Sequence, residues 1–249
     1  MRPARLAVVL VAHGSRDPRA AAATSALTRA VGAANPMWDV RASYLDHAGP
    51  RPREVLAGFE ARGHRRAVLV PLLLTKAYHG RVDVPGEIAA AHAAGVTLEV
   101  SLAEVLGPVS PLLLDGLSDR LLAAGARDLD ALVLTAAGTR NAGARATVSQ
   151  AAAALGARWG VPCRVAYASA APPLSGEAVA ELRAEGYARI GLASYFLAPG
   201  LLYDATVASA RAAGVVAVAE PLTDIPDLVD LVAARVTAAL VRPVAALAA

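Results

Sequence analysis

Three short stretches of the 249-residue chain carry groups that can bind a metal ion or move a proton. They are His13-Gly14-Ser15-Arg16, Asp46-His47, and VPLLLTKAYHGRVDVP at residues 70–85, which contains Lys76, Tyr78, His79, Arg81 and Asp83. Each follows an apolar run of strand length. In a parallel α/β sheet, ligands bind where loops leave the carboxyl ends of strands. Two neutral imidazoles, His13 and His79, with the Asp46 carboxylate form a donor set that divalent first-row metals accept, with coordination positions left open. The same imidazoles can take up protons, since an ordinary histidine titrates near ~6.5. Arg16, Lys76 and Arg81 add positive charge suited to holding carboxylates. Gly14 lets the backbone turn sharply off its strand, and Ser15 or Asp17 can cap the helix that follows. Asp46 has a structural reading too, as cap of the helix after Pro52, and His47 is then the natural substitute donor. His64 and His92 fall at helix or helix-end positions and are assigned no function. Cys163 reads as a small core residue.

The elements that must position these groups alternate along the chain. Strand-like runs are predicted near 5–12, 38–45, 66–73 and 97–101, with helices near 17–33, 52–62, 85–94 and 109–124. The second half repeats the order, with strands near 130–136, 163–168, 188–195 and 215–219 and helices near 142–159, 175–186, 201–213 and 226–240. Such alternation predicts an α/β fold with parallel sheets, in which strands one and three can be neighbours. Pro85 suits the first turn of the third helix.

The repetition extends to residues. VVLVAHGSRDPRA (8–20) aligns with LVLTAAGTRNAGA (132–144) at a shift of 124, and VRASYLDHAGP (40–50) with RVAYASAAPP (164–173) at a shift near 123. HGRVD (79–83) aligns with GLLYD (200–204) at a shift of 121. Three matches in order with nearly constant offset predict a duplicated unit, residues 1–124 and 125–249, joined near Gly125. Gly14, Arg16 and Asp83 keep counterparts in Gly138, Arg140 and Asp204. His13 faces Ala137, Asp46 faces Ser169, His47 faces Ala170 and His79 faces Gly200. Packing requirements act on both copies alike, so this asymmetry predicts one working site, built by the first copy.

Composition narrows the possibilities. Hydrophobic residues make up 56% of the chain but aromatics only 4%. No apolar run reaches the ~18–20 residues of a membrane span. Arg2 and Arg5 before residues 6–12 imitate a signal peptide, but the run makes a good first strand and no small-residue cleavage site follows it. The single cysteine excludes an internal disulfide and fits a reducing cytoplasm. The net charge of +3 comes from scattered residues, which disfavours nucleic acid and suits an anionic small molecule.

With these residues in view, the chain resembles the sirohydrochlorin chelatases, the class II chelatases of siroheme and cobalamin synthesis, in their long form of two fused units. HGSRDPRA is similar to the family's first motif. YLDHAGP is similar to the second, usually written with Glu where this chain has Asp46. The stretch 70–85 resembles the third, VPLFLLAGGHVKNDIP, with Tyr78 and Gly80 in place of glycine and valine. The resemblance implies two similar α/β domains, each a small parallel sheet flanked by helices, facing each other across a cleft. It implies His13 and His79 as metal-binding and catalytic residues and sirohydrochlorin as the tetrapyrrole substrate. On this reading a divalent metal (Fe²⁺ or Co²⁺, with Ni²⁺ accepted by the same donors) is the second substrate. Asp46 steadies charge, and Arg16, Ser15, Lys76 and Arg81 hold the macrocycle. No GxxxxGK[ST] loop is present, so no nucleotide is expected. No nucleic acid or membrane partner is expected either, and the protein acts as a monomer or homodimer. Two competitors use similar residues. A non-catalytic metal- or tetrapyrrole-binding protein needs the same histidines. A hydrolase of anionic substrates is disfavoured, because Ala12 stands where histidine phosphatases have arginine and no GxSxG elbow occurs.

Overall fold

The computed structural model describes residues 5–75 and 83–241. Among these, the first sheet takes β1 (Leu6–Ala12), β2 (Trp38–Tyr44), β3 (Arg66–Pro71) and β4 (Glu99–Leu102), in the order β2-β1-β3-β4 and parallel throughout. Helices α1 (Pro18–Ala34), α2 (Pro52–Ala61) and α3 (Val84–Ala93) connect them, and α4 (Pro111–Ala123) follows. The second sheet takes β5 (Ala131–Ala136), β6 (Cys163–Tyr167), β7 (Ile190–Ser194) and β8 (Ala217–Val218), in the equivalent order β6-β5-β7-β8. Its helices are α5 (Ala142–Trp159), α6 (Ser175–Ala184), α7 (Leu201–Ala212) and α8 (Pro226–Val241). The expected alternation and the pairing of strands one and three are both present.

The central strands are apolar on both faces because helices cover both. In β1, Ala7, Val9 and Val11 join a core with Leu56 and Phe59 of α2 and Val84 and Ile88 of α3. The alternate residues Val8 and Leu10 point to the other face and are equally buried. The second unit repeats this with Ala131 and Val133 of β5 against Val179 and Leu182 of α6 and Val207 of α7.

The two compact units are not the two sequence repeats. One comprises the described residues up to Leu106 with those from Val229 onward, and the other runs from Gly107 to Leu228. Helix α4, expected to close the first domain at 124, thus belongs with the second unit, and most of α8 belongs with the first. Periodicity shows that a helix has an apolar face but not which sheet that face covers. Equivalent arginines accompany the exchange. In the first unit Arg235 of α8 donates from Nε to Val105 O at 2.9 Å and from Nη2 to Leu106 O at 3.1 Å. In the second, Arg120 of α4 donates from Nη2 to Leu222 O at 3.3 Å.

Candidate functional site

Strands β1 and β2 end side by side, Ala12 opposite Tyr44. Their loops stay tied beyond the sheet: Leu45 N donates to Ala12 O at 3.0 Å and Asp46 N to His13 O at 2.8 Å. Gly14 has φ +94°, and a Cβ there would lie 1.8 Å from the carbonyl oxygen of Asp46, so only glycine fits. The second loop then reverses. His47 takes the left-handed conformation with φ 58°, Ala48 N donates to Asp46 O at 2.7 Å, and Tyr44 N reaches Pro50 O at 2.9 Å. His13, Asp46 and His47 are thereby held by backbone contacts at one exposed rim of the first unit.

Within that rim the His13 and His47 rings meet edge to face, with centroids 6.3 Å apart and an interplanar angle of 87°. Asp46 Oδ1 accepts the backbone N–H of His47 at 2.8 Å, and Oδ2 lies 3.6 Å from His47 Nε2. The backbone N–H of His47, with positive charge from His47, Arg51 and His13, holds the Asp46 carboxyl below its ordinary range against partial desolvation. Asp46 does not cap α2. That helix starts on Pro52, with Glu54 Oε2 accepting Arg51 N at 2.8 Å.

Ser15 and Arg16 follow His13. Ser15 Oγ accepts Asp17 N at 3.0 Å, while Asp17 caps α1 by accepting Arg19 N at 2.9 Å. Arg16 is exposed. Lys76, Tyr78, His79 and Arg81 lie outside the described residues. Their loop begins after β3, whose partner is β1, and Leu72 N still donates to Val11 O at 2.8 Å. The chain resumes at Asp83 and enters α3 with Pro85 in its first turn. No motif singles out Arg51, although the repeat pairs it with Leu174 and so marks it as another charge the second copy lacks.

The remaining titratable residues singled out in the sequence are structural. His64 Nδ1 lies 3.0 Å from Arg5 O with its ring edge-on to Phe59, and His92 Nε2 lies 3.2 Å from Leu98 O. Burial pushes the Cys163 thiol up to about 12, which leaves it inert.

The second unit repeats the backbone of the site without its chemistry. Gly138 also has φ +94°, with a would-be Cβ 1.9 Å from Ser169 O. Ala170 has φ 63°, Ala168 N donates to Ala136 O at 2.9 Å, and Tyr167 N reaches Pro173 O at 2.9 Å. At the rim stand Ala137, Ser169 and Ala170, with Ser169 Oγ donating to Ala137 O at 3.0 Å.

Two duplicated parallel α/β units, one with imidazoles and a carboxylate at its strand ends, define a protein of the class II chelatase layout. The CbiX family model matches residues 7–124 and again residues 131–239, and the chain belongs to that family. SirB from Bacillus subtilis with Fe³⁺ is similar over 95% of this chain and 96% of its own, with a TM-score of 0.81 and 20% identity. The cobalt complex of the sirohydrochlorin chelatase SirB from Bacillus subtilis subspecies spizizenii has a TM-score of 0.76 at 20% identity over 94% of each chain. A sirohydrochlorin cobaltochelatase of Methanococcoides burtonii is 25% identical over 81 residues, 32% of this chain and 62% of that protein. The chain thus spans less than two thirds of the length of the curated relatives it matches. Among the described residues no helix is long and apolar enough to cross a membrane.

Proposed function

We propose that the protein is a sirohydrochlorin chelatase, inserting one divalent metal ion into the macrocycle as two pyrrole N–H protons leave. The observation that carries this reading is the contrast between two nearly identical backbones. One presents His13, Asp46 and His47 at its strand ends, and the other presents Ala137, Ser169 and Ala170. Loops kept in both copies serve the fold, whereas imidazoles kept in one serve chemistry. Family membership supports it, as do the substrate and metals named for the relatives.

In this reading His13 and His79 receive the metal and accept the pyrrole protons, a task suited to neutral imidazole. Asp46, held ionised, steadies the cation, and Arg16, Ser15, Lys76 and Arg81 bind the carboxylates at the macrocycle's edge. Fe²⁺ and Co²⁺ both suit imidazole and carboxylate donors. The reaction needs no nucleotide, since metal and protons exchange without phosphoryl transfer. The protein works in the cytoplasm, with two fused units in one chain, as a monomer or homodimer.

The test is an anaerobic absorbance assay with sirohydrochlorin, Fe²⁺ or Co²⁺, and catalytic amounts of protein. Many turnovers per chain are expected, and stoichiometric binding alone would mark a carrier and defeat the proposal. In the His79→Ala variant insertion is expected to collapse while sirohydrochlorin binding persists. Unchanged turnover in that variant would remove His79 from the mechanism.

A further inference from the structure

We infer that the amino edge of the first sheet docks an acidic segment of a partner protein, held by Arg5, Arg62, Arg65 and Arg66 around an apolar contact at Met37. Basic residues scattered in sequence are gathered there by the fold. Arg5 precedes β1, and Arg65 and Arg66 open the neighbouring β3. On the other side Met37 precedes β2, its carbonyl accepting Leu6 N at 3.0 Å. With adjacent strands ~4.8 Å apart, the row from Met37 through Arg5 to Arg65 spans about 10 Å, the width of one peptide element with its side chains. All four arginines are exposed, and so is Met37, at 51%.

The frame under this row is fixed while its charge is left over. His64 Nδ1 donates to Arg5 O at 3.0 Å, and the Arg62 guanidinium lies 4.8 Å from the centre of the Phe59 ring. The carboxylates within reach are already engaged. Asp39 meets Arg41 Nε at 3.0 Å and Arg62 Nε at 3.6 Å, and Glu99 meets Arg66 Nε at 3.5 Å. Glu60 accepts Thr97 N at 2.7 Å and Thr97 Oγ1 at 2.6 Å. Among the described residues Arg5 and Arg65 have no ion pair, so the edge keeps an excess of positive charge.

The second copy supplies the control. Arg62-Gly63-His64-Arg65-Arg66 corresponds to Glu185-Gly186-Tyr187-Ala188-Arg189, and both glycines are left-handed, with φ +84° and +99°. Arg5 corresponds to Leu129. The one arginine kept, Arg189, is spent on the backbone, donating from Nε to Asp128 O at 2.9 Å and from Nη2 to Arg127 O at 3.1 Å. This turn therefore folds without the excess charge, and the first unit's arginines answer to something outside it. Chemistry selects the occupant. Guanidinium groups pair bidentately with carboxylates, and arginine and methionine are enriched at protein interfaces. A row of about 10 Å covers few phosphates of a nucleic acid, and Met37 offers a phosphate backbone nothing. The length of β1, about 20 Å, separates this edge from the rim that carries His13, so a partner here leaves the rim open.

The experiment follows the fluorescence anisotropy of a labelled peptide of alternating Glu and Leu with the full chain at about 0.15 M salt. Binding is expected. The double variant Arg5→Glu, Arg65→Glu is expected to weaken it at least ~10-fold, through lost attraction and new repulsion. Arg29→Glu with Arg211→Glu, an equal change of charge at exposed positions elsewhere, should leave it nearly unchanged. Met37→Ser is expected to weaken it as well, and all variants to keep the wild-type melting temperature. Absence of binding overturns the inference, as does equal loss in the two double variants or indifference to Met37→Ser. Tighter binding of a single-stranded oligonucleotide or of phosphatidylglycerol vesicles through the same arginines overturns it too. Failure of the wild type to turn over sirohydrochlorin would defeat the chelatase reading and leave these titrations standing.

Discussion

The carbonyl oxygen of His13 accepts the backbone N–H of Asp46 at 2.8 Å, and a single residue further on Gly14 leaves no space for a side chain against the Asp46 carbonyl. His13 and Asp46 are thus fixed to each other by main chain and not by their own side chains. Preorganisation of this kind costs nothing at the moment a ligand arrives.

Gly14→Ala tests that relationship. The added Cβ meets backbone, and φ +94° is itself hostile to alanine. A stability loss of roughly 1–3 kcal/mol or more is expected from denaturant midpoints. Gly138→Ala meets the same obstruction in the second unit, 1.9 Å from Ser169 O, and is expected to destabilise similarly. The two should part in activity. Measured where both are folded, Gly14→Ala is expected to lose metal insertion by more than ~10-fold, because a misplacement of about 1 Å disrupts reacting geometry, while Gly138→Ala keeps most of it. Equal activity in the two variants would break the link between the His13–Asp46 contact and function.

The Asp46 carboxyl gives a prediction in pH. The His47 N–H and neighbouring positive charge lower its folded-state pKa below the ordinary 3.8. A lowered folded pKa means that its contribution to stability is complete above the unfolded value and is lost as pH falls through the folded one. Asp46→Asn is therefore expected to be less stable than wild type at ~pH 6, with the difference shrinking below about pH 4. The group is exposed and the effect small, so paired urea titrations at several pH values are the measurement. A difference that grew on acidification would contradict the assignment.

The exchanged helices carry equivalent arginines that are not equally well satisfied. Arg235 makes two backbone hydrogen bonds in the first unit, to Val105 O and Leu106 O. Arg120 makes one to Leu222 O, and its buried Nε has no partner among the described residues. Arg235→Met is expected to cost about 1–3 kcal/mol, since it strands two carbonyls that bonded a charged group. Arg120→Met loses one bond but also removes an unsatisfied polar atom, so a change within ~1 kcal/mol is expected. Thermal or urea unfolding of the two variants in parallel decides the matter, and the reverse order would contradict this account.

How much of this was legible beforehand depends on which residues are asked. The strands and helices were, because β1 is apolar along its whole length, α2 opens on Pro52 and α3 carries Pro85 in its first turn. So were His13 and Asp46 as rim residues, since a polar group directly after a buried strand has nowhere to go but the sheet's edge. The role of Arg51 was not, because it acts through the fold of the turn between Asp46 and Pro52. Nor was the fate of α4 and α8: Leu113, Leu117 and Leu121 form an apolar stripe that would cover either sheet, and the choice is made by shape. Gly116, with a would-be Cβ 2.4 Å from Ile225, records that choice after the fact.

The exchange makes its own prediction about the covalent joint. If each repeat were a self-contained domain, a chain cut between Ala124 and Asp130 would fall into two separable pieces. Here the piece ending near 124 contributes α4 to the second unit, and the other contributes α8 from Val229 onward to the first. Each piece then lacks a helix of its own core and supplies one to its partner. Leu117 and Leu121 of α4 and Val232 and Val236 of α8 are almost wholly buried, and exposing them would cost roughly 1.5–3 kcal/mol apiece. A full-length chain carrying a protease site inserted after Gly125 is therefore expected to stay one species on gel filtration after complete cleavage. It should come apart only when denaturant unfolds it. Separation of the pieces under native conditions would show that the exchanged helices do not hold the halves together.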